Sequence, residues 1–228
     1  MFRRIVGVGA LALVAGLCVT GCSPVKFGAA AVAGNQRITI ANLDTEASKL
    51  SAAAKAYPGV VSLSPQQITQ ETLSWLIRFK INEQLASQSG ITVSPAQAGS
   101  ALNDIYTQAK AQAQQSGITN VTLDLILVAN GIAPNMRDEL GRYQAIETQY
   151  LANLNGGTVP TDTSTLNALE PKLTHAQCLA AKSLSIKVNP QFGQMDYSNY
   201  SVVATTDKVS RPSGAAQTAS VSGLTPSC

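Results

Sequence analysis

Histidine is almost missing from this 228-residue chain: His175 stands alone. One imidazole argues against a metal site built on histidines and against a Ser-His-Asp triad, both of which need other partners in fixed roles. Charge is also scarce. Lys and Arg number 16 against 13 Asp and Glu, for a formal net charge of +3. That excess is too small and too scattered for nucleic acid, which is held by clustered cations that displace counterions. Aromatic residues make up 5% of the chain, with one Trp. No G-x-G-x-x-G, Walker-type G-x-x-x-x-G-K-[ST], G-x-S-x-G or H-E-x-x-H pattern occurs, so no dinucleotide, P-loop, esterase or zincin chemistry is indicated. Hydrophobic residues are 45% of the chain and charged residues 13%. This balance excludes a disordered polyelectrolyte and supplies a core for one domain with appendages.

The first 22 residues read as a targeting segment. Met1-Phe2-Arg3-Arg4 is a basic head, Ile5 to Val19 is a run of about 15 apolar or small residues, and Val19-Thr20-Gly21-Cys22 follows. The run is shorter than the roughly 20 residues of a bilayer-spanning helix. Val-Thr-Gly-Cys resembles the bacterial lipobox, and that resemblance implies diacylglyceryl transfer to the Cys22 thiol and cleavage before it. Residues 1–21 are then the signal peptide and 22–30 a tether. The mature chain of 207 residues (228 − 21) loses Arg3 and Arg4, so its side-chain charge falls from +3 to +1. Two or more acyl chains, each stabilised by about 0.8 kcal/mol per buried methylene, give stable membrane attachment. The expectation is a palmitate-type lipid anchor on the extracytoplasmic face of the cell membrane.

Four cysteines are present, at 18, 22, 178 and 228. Cys18 leaves with the signal and Cys22 takes lipid. Cys178 and Cys228 remain as a pair in an oxidising compartment, where a bridge is expected. It would close a loop of about 50 residues and contribute roughly 4 kcal/mol by chain entropy. A competing reading places His175 and Cys178, three apart on one helix, as base and thiol or as half a zinc site. No third ligand or orienting acid accompanies them.

Along the mature chain, Ala29–Ile40 (AAAVAGNQRITI) carries a Gly34-Asn35 turn between short apolar stretches. It reads as a small hairpin, or as a strand leading into a helix over 41–56 capped by Thr39. Ser64-Pro65-Gln66-Gln67 opens a helix running to Ser89, with Gly90 as its C-cap. Leu73, Leu76, Ile77, Ile81 and Leu85 form one apolar band on it, and Ile68, Trp75 and Phe79 a second, nearly opposite. Two bands suit a central helix. The second is either core or the lining of an open groove for a polypeptide client, so Ile68, Trp75 and Phe79 are the candidate client-binding residues. Ser94-Pro95-Ala96-Gln97 opens another helix, to Ser116. Further helices are expected at 122–130, from Pro134 to Leu154, and over 164–182. Residues 184–188 alternate as a strand, and the chain from 201 to 228 reads as a flexible tail.

This layout resembles the N-terminal domain of the SurA/PrsA/trigger-factor group of extracytoplasmic chaperones. VAGNQRITIANLD resembles the family's opening strand, turn and helix. LIRFKINEQLASQSGITVSPAQ resembles its long helix ending in Gly and leading into a capped helix. GGTVPTDTSTLNAL falls where the family has a Val-Thr-Asp segment, and SIKVNPQFGQMD resembles the C-terminal strand of short lipoprotein members. The resemblance covers residues 31–197. Longer members continue into a parvulin isomerase domain of about 90 residues with a pair of His. Here 46 residues follow Lys182 (228 − 182) and only His175 exists, so the expectation is a member without that module.

The expected fold is mainly α: a SurA N-like helical domain over 31–200, with a small sheet that pairs the segment at 31–40 with the strand at 184–188. The resemblance implies a membrane-anchored lipoprotein that binds unfolded or partly folded exported polypeptides. It implies no enzyme activity, catalytic residue, metal, cofactor or nucleic-acid partner. The alternative is a structural, envelope-assembly or solute-binding lipoprotein with one specific partner or ligand.

Overall fold

The computed structural model describes residues 28–59, 62–205 and 228. Among these the chain is mainly helical, with six α-helices and a few short antiparallel strands. Strand β1 (Ala29–Ala33) turns at Gly34-Asn35 into β2 (Gln36–Thr39). Gly34 has φ 59°, a left-handed conformation natural to glycine. Ala31 pairs with Ile38 and Ala33 with Gln36. The hairpin runs straight into α1 (Ile40–Ala54), whose first turn is capped by Thr39 Oγ1 accepting from Asn42 N at 3.1 Å. Both sequence readings of this stretch therefore hold in succession.

Two identical devices start the next long helices. In α2 (Pro65–Ser89) Ser64 Oγ accepts from Gln67 N and the Gln67 side chain returns to Ser64 N. In α3 (Pro95–Gln115) Ser94 and Gln97 repeat it. Each cap satisfies orphan N–H groups and is worth about 1 kcal/mol. Gly90 closes α2 in the left-handed region at φ 64°. Thr122 caps the short α4 (Leu123–Ala129). A 3-10 turn at Pro134–Met136 then leads into α5 (Arg137–Leu154).

Asp162 caps α6 (Thr163–Leu184) by accepting from Thr165 N at 2.8 Å. This helix is longer than expected. Leu184 stays helical and buried against the β1–β2 turn, where its carbonyl accepts from Gly34 N. Strand β3 is thereby shortened to Lys187–Val188. It lies antiparallel to β1, with Ala31 opposite Val188 and Val32 opposite Lys187, giving a sheet in the order β2-β1-β3. The pairing expected between these distant segments is present. Asn189 extends it through its backbone N–H to Ala30 O at 2.8 Å and its side-chain amide to Ala29 O at 3.1 Å. A second ribbon joins β4 (Gln194–Asp196) to β5 (Ser201–Val203).

Two boundaries need correction. The tether over 22–30 ends earlier, because Ala29 and Ala30 are fully buried strand residues. The flexible tail does not begin at 201. Val202 is buried, and its N–H donates to Ser74 Oγ at 2.8 Å, which fixes β5 on α2. The signal segment, Cys22 and residues 206–227 lie outside the described residues.

Helix α2 is the axis of the molecule, with a separate core on each side. Leu73, Ile77, Ile81 and Leu85 pack with β1, with Ala145 and Ile146 of α5 and with Leu173, Ala180 and Leu184 of α6. Ile68 and Phe79 pack with Leu50 of α1, Leu127 and Val128 of α4, and Met136 and Leu140. Two apolar bands on one helix thus become two interiors. Helix α3 contributes a single buried residue, Ala101, and rests along α5.

Candidate functional site

The second band is interior and not a groove, which corrects the client-binding assignment of Ile68, Trp75 and Phe79. Ile68 is 8% exposed and Phe79 6%. Helices α1, α4 and α5 cover them, because each brings an apolar face that has nowhere else to be buried. Trp75 is half-buried at the edge of this core. Its ring lies 5.7 Å from Phe79 and 5.9 Å, edge-on, from Tyr143. Its indole N–H donates to Asn130 O at 2.9 Å, occupying a carbonyl at the end of α4. The Arg78 guanidinium stacks over its other surface at 4.9 Å.

Beside this core the sequence concealed a polar cluster. Gln177 of α6 donates to Glu147 Oε1 of α5 at 2.6 Å and to Asn82 Oδ1 of α2 at 3.1 Å. Asn82 in turn donates to Tyr143 O at 3.2 Å. Burial pushes the Glu147 carboxyl above its ordinary range, and hydrogen bonds from Tyr143, Gln177 and Asn82 offset part of that. Burial, followed by the neighbouring Glu147 charge, pushes the Tyr143 phenol up as well. The cluster ties three helices together in one register. No buried side-chain polar atom among the described residues lacks a partner.

A broad concavity lies elsewhere, on the outer side of α6. A cleft of about 700 Å³ is walled by Asn167, Pro171, Thr174 and His175 of α6 and, facing them, by Tyr197 and Tyr200 of the β4–β5 turn. Pro171 sits inside the helix. It has no N–H, so the Asn167 carbonyl loses its usual helical donor at the cleft edge. The two phenols hold the opposite wall in place. Tyr197 OH donates to Ile186 O at 3.2 Å and Tyr200 OH to Thr174 O at 3.4 Å. Burial pushes both phenols up. Tyr200 has φ 53°, an uncommon backbone state for a tyrosine, which aims its ring back at α6.

Cys178 and Cys228 are joined by a disulfide, with Cα atoms 5.8 Å apart, and both line this cleft. The bond excludes Cys178 as a free thiol nucleophile in this state. His175 is exposed in the middle of α6 and shares the cleft. Among the described residues no group of three or more His, Cys, Asp or Glu converges on a point that could hold a metal ion. A smaller cleft of about 410 Å³ separates the start of α3 from Asp138 and Arg142 of α5.

One feature of the sequence bears on the larger cleft, the proline in mid-helix at 171. Among the described residues no helix is long and apolar enough to cross a membrane. Comparison of the chain with protein-family models, with curated proteins and with solved structures returned no match.

Proposed function

We propose that this protein is a lipid-tethered polypeptide-binding module of SurA N-like design. Cys22 carries the anchor on the extracytoplasmic face, and the α6–β4/β5 cleft takes an extended segment of an unfolded or partly folded exported chain. The observation that carries this reading is the cleft itself. It is open, is of the size that encloses a few side chains, and combines flat aromatic and proline surfaces with a backbone acceptor freed by Pro171. Such a surface holds a main chain without demanding one side-chain sequence. The frame supports it: a hairpin and a distant strand close one sheet around a helical body, as the resemblance to the SurA group implied. Prolyl isomerisation is not part of the proposal, because a barrier of about 18–20 kcal/mol needs a shaped catalytic pocket.

Purified protein beginning at Cys22 is expected to retard aggregation of a denatured model protein at near-stoichiometric amounts. Thr174→Arg, which fills the cleft from an exposed helix position, is expected to abolish that effect while leaving the circular dichroism spectrum and melting temperature unchanged. Tight binding to one folded partner, with no effect on aggregation, would favour the envelope-assembly reading instead.

A further inference from the structure

A glycine inside a helix weakens it relative to alanine, so each one needs a reason. Gly141 of α5 has one in the packing, because a Cβ there would collide with the carbonyl oxygen of Ala98 on α3. Gly99 of α3 has none. Its φ is not left-handed, and a Cβ on it would meet nothing within 4 Å. What Gly99 does instead is line the cleft of about 410 Å³ between the start of α3 and α5. A missing side chain there widens the space and lets a ligand approach the helix backbone. The volume falls among small-ligand sites, which span roughly 300–1,000 Å³. Val93, Pro95, Ala98 and Leu102 give the cleft apolar walls. Asp138 and Arg142 stand on the α5 side, one turn apart at i and i+4 and therefore on one face. Among the described residues neither side chain makes an ion pair or a hydrogen bond with another protein group.

We propose that this cleft binds a free α-amino acid with an aliphatic side chain. An apolar trough beside one unpaired cation and one unpaired anion, a single helical turn apart, complements a molecule that carries both charges on one carbon next to a hydrocarbon body. The Arg142 guanidinium takes the carboxylate, for which its planar fork is suited. The Asp138 carboxylate accepts from the ammonium group. The hydrocarbon lies against Leu102 and the bare backbone at Gly99. A polypeptide chain end brings only one of the two charges and leaves the other residue without its counterpart. This site shares no lining residue with the α6 cleft and stands independently of the polypeptide-binding reading.

The test is calorimetric titration of the whole chain beginning at Cys22 with L-leucine, with leucinamide, which lacks the carboxylate, and with isocaproate, which lacks the ammonium group. The expected result is saturable binding of one leucine per chain. Each analogue loses one charge-assisted contact and binds roughly tenfold to hundredfold more weakly. Gly99→Leu fills the cleft from a helix position that nothing obstructs. It is expected to abolish leucine binding without lowering the melting temperature, a separation that a purely structural glycine does not give. Arg142→Gln is expected to weaken leucine roughly tenfold to hundredfold and to erase its advantage over leucinamide. Asp138→Asn is expected to erase the advantage over isocaproate in the same way. Absence of both binding heat and a melting shift with leucine at about 10 mM overturns the proposal. Binding that is unchanged in Gly99→Leu places the ligand elsewhere and overturns it as well. Leucinamide or isocaproate binding as tightly as leucine overturns the assignment to an amino acid.

Discussion

Two glycines separated by a helix–helix contact allow the packing argument to be tested by sign. Gly141 lies in α5, where α5 crosses α3. A Cβ on Gly141 would collide with the carbonyl oxygen of Ala98 and come within 3.1 Å of its carbon and 3.2 Å of Leu102 Cβ. Gly99, one residue along on α3, has nothing within 4 Å of the same position. Both are helical, so replacement by Ala gains about 0.8–1.0 kcal/mol of intrinsic propensity at each. At Gly99 nothing opposes this, and Gly99→Ala is expected to stabilise by about 1 kcal/mol. At Gly141 the obstacle is backbone, which cannot swing aside as a side chain would. The cost of overpacking then lies near the upper end of the usual 1–3 kcal/mol, about 3 kcal/mol. Subtracting the propensity gain leaves a net loss of about 2 kcal/mol. For a chain of this size that lowers the melting temperature by about 4–8 °C. Urea unfolding followed by circular dichroism, with the slope checked for constancy, measures both variants. Stabilisation by Gly141→Ala, or equal effects at the two sites, would refute the close approach of α3 and α5.

Further predictions concern the buried cluster, the second core and the anchor. The Glu147 carboxyl is pushed up in the folded state by burial, so the folded protein holds that proton more tightly than the unfolded chain does. Its contribution to stability is full below the unfolded pKa and is lost as pH rises through the folded value. Glu147→Gln, which keeps an acceptor for Gln177, should therefore stabilise the protein at pH 8 and flatten this part of the pH dependence, as read from urea midpoints at pH 5 and pH 8. Phe79→Ala should cost about 3–5 kcal/mol by emptying the second core, whereas an exposed groove residue would change the melting temperature little. Cys22→Ala should leave protein that stays in the aqueous phase on detergent partition and lacks the lipid mass increment. Unchanged partition with normal processing would refute the anchor.

Local chemistry made much of the fold legible. The Ser-Pro-x-Gln starts at 64 and 94 dictate their own caps because every partner lies within one helical turn. The two bands on α2 are a matter of helical period, which announces a central helix but not what covers each side. Whether Phe79 faced a groove or a core depended on α1 and α4 folding over it, and that is tertiary information. Glu147 was illegible for the same reason: a carboxylate in a helix reads as solvated surface until Gln177 and Asn82 arrive from other helices. Strands β4 and β5 are three residues each, too short for alternation to register, so the sequence pattern places the start of the tail too early. The cleft joins Pro171 to Tyr200, which the sequence sets 29 residues apart (200 − 171), across a turn whose left-handed tyrosine no pattern announces.

Site-specific photocrosslinking is the most direct measurement of the central claim. A small aliphatic diazirine residue of about leucine size, which does not fill the cleft as Arg does, is placed at Thr174 in the cleft and, as a control, at Thr107 on the exposed side of α3, and each protein is irradiated with a model substrate in its native and its denatured form. The account predicts a crosslink from position 174 to the denatured form alone, competed by excess unlabelled unfolded chain, and none from position 107. Equal crosslinking of native and denatured substrate at 174, or capture at 107 in preference to 174, would contradict it.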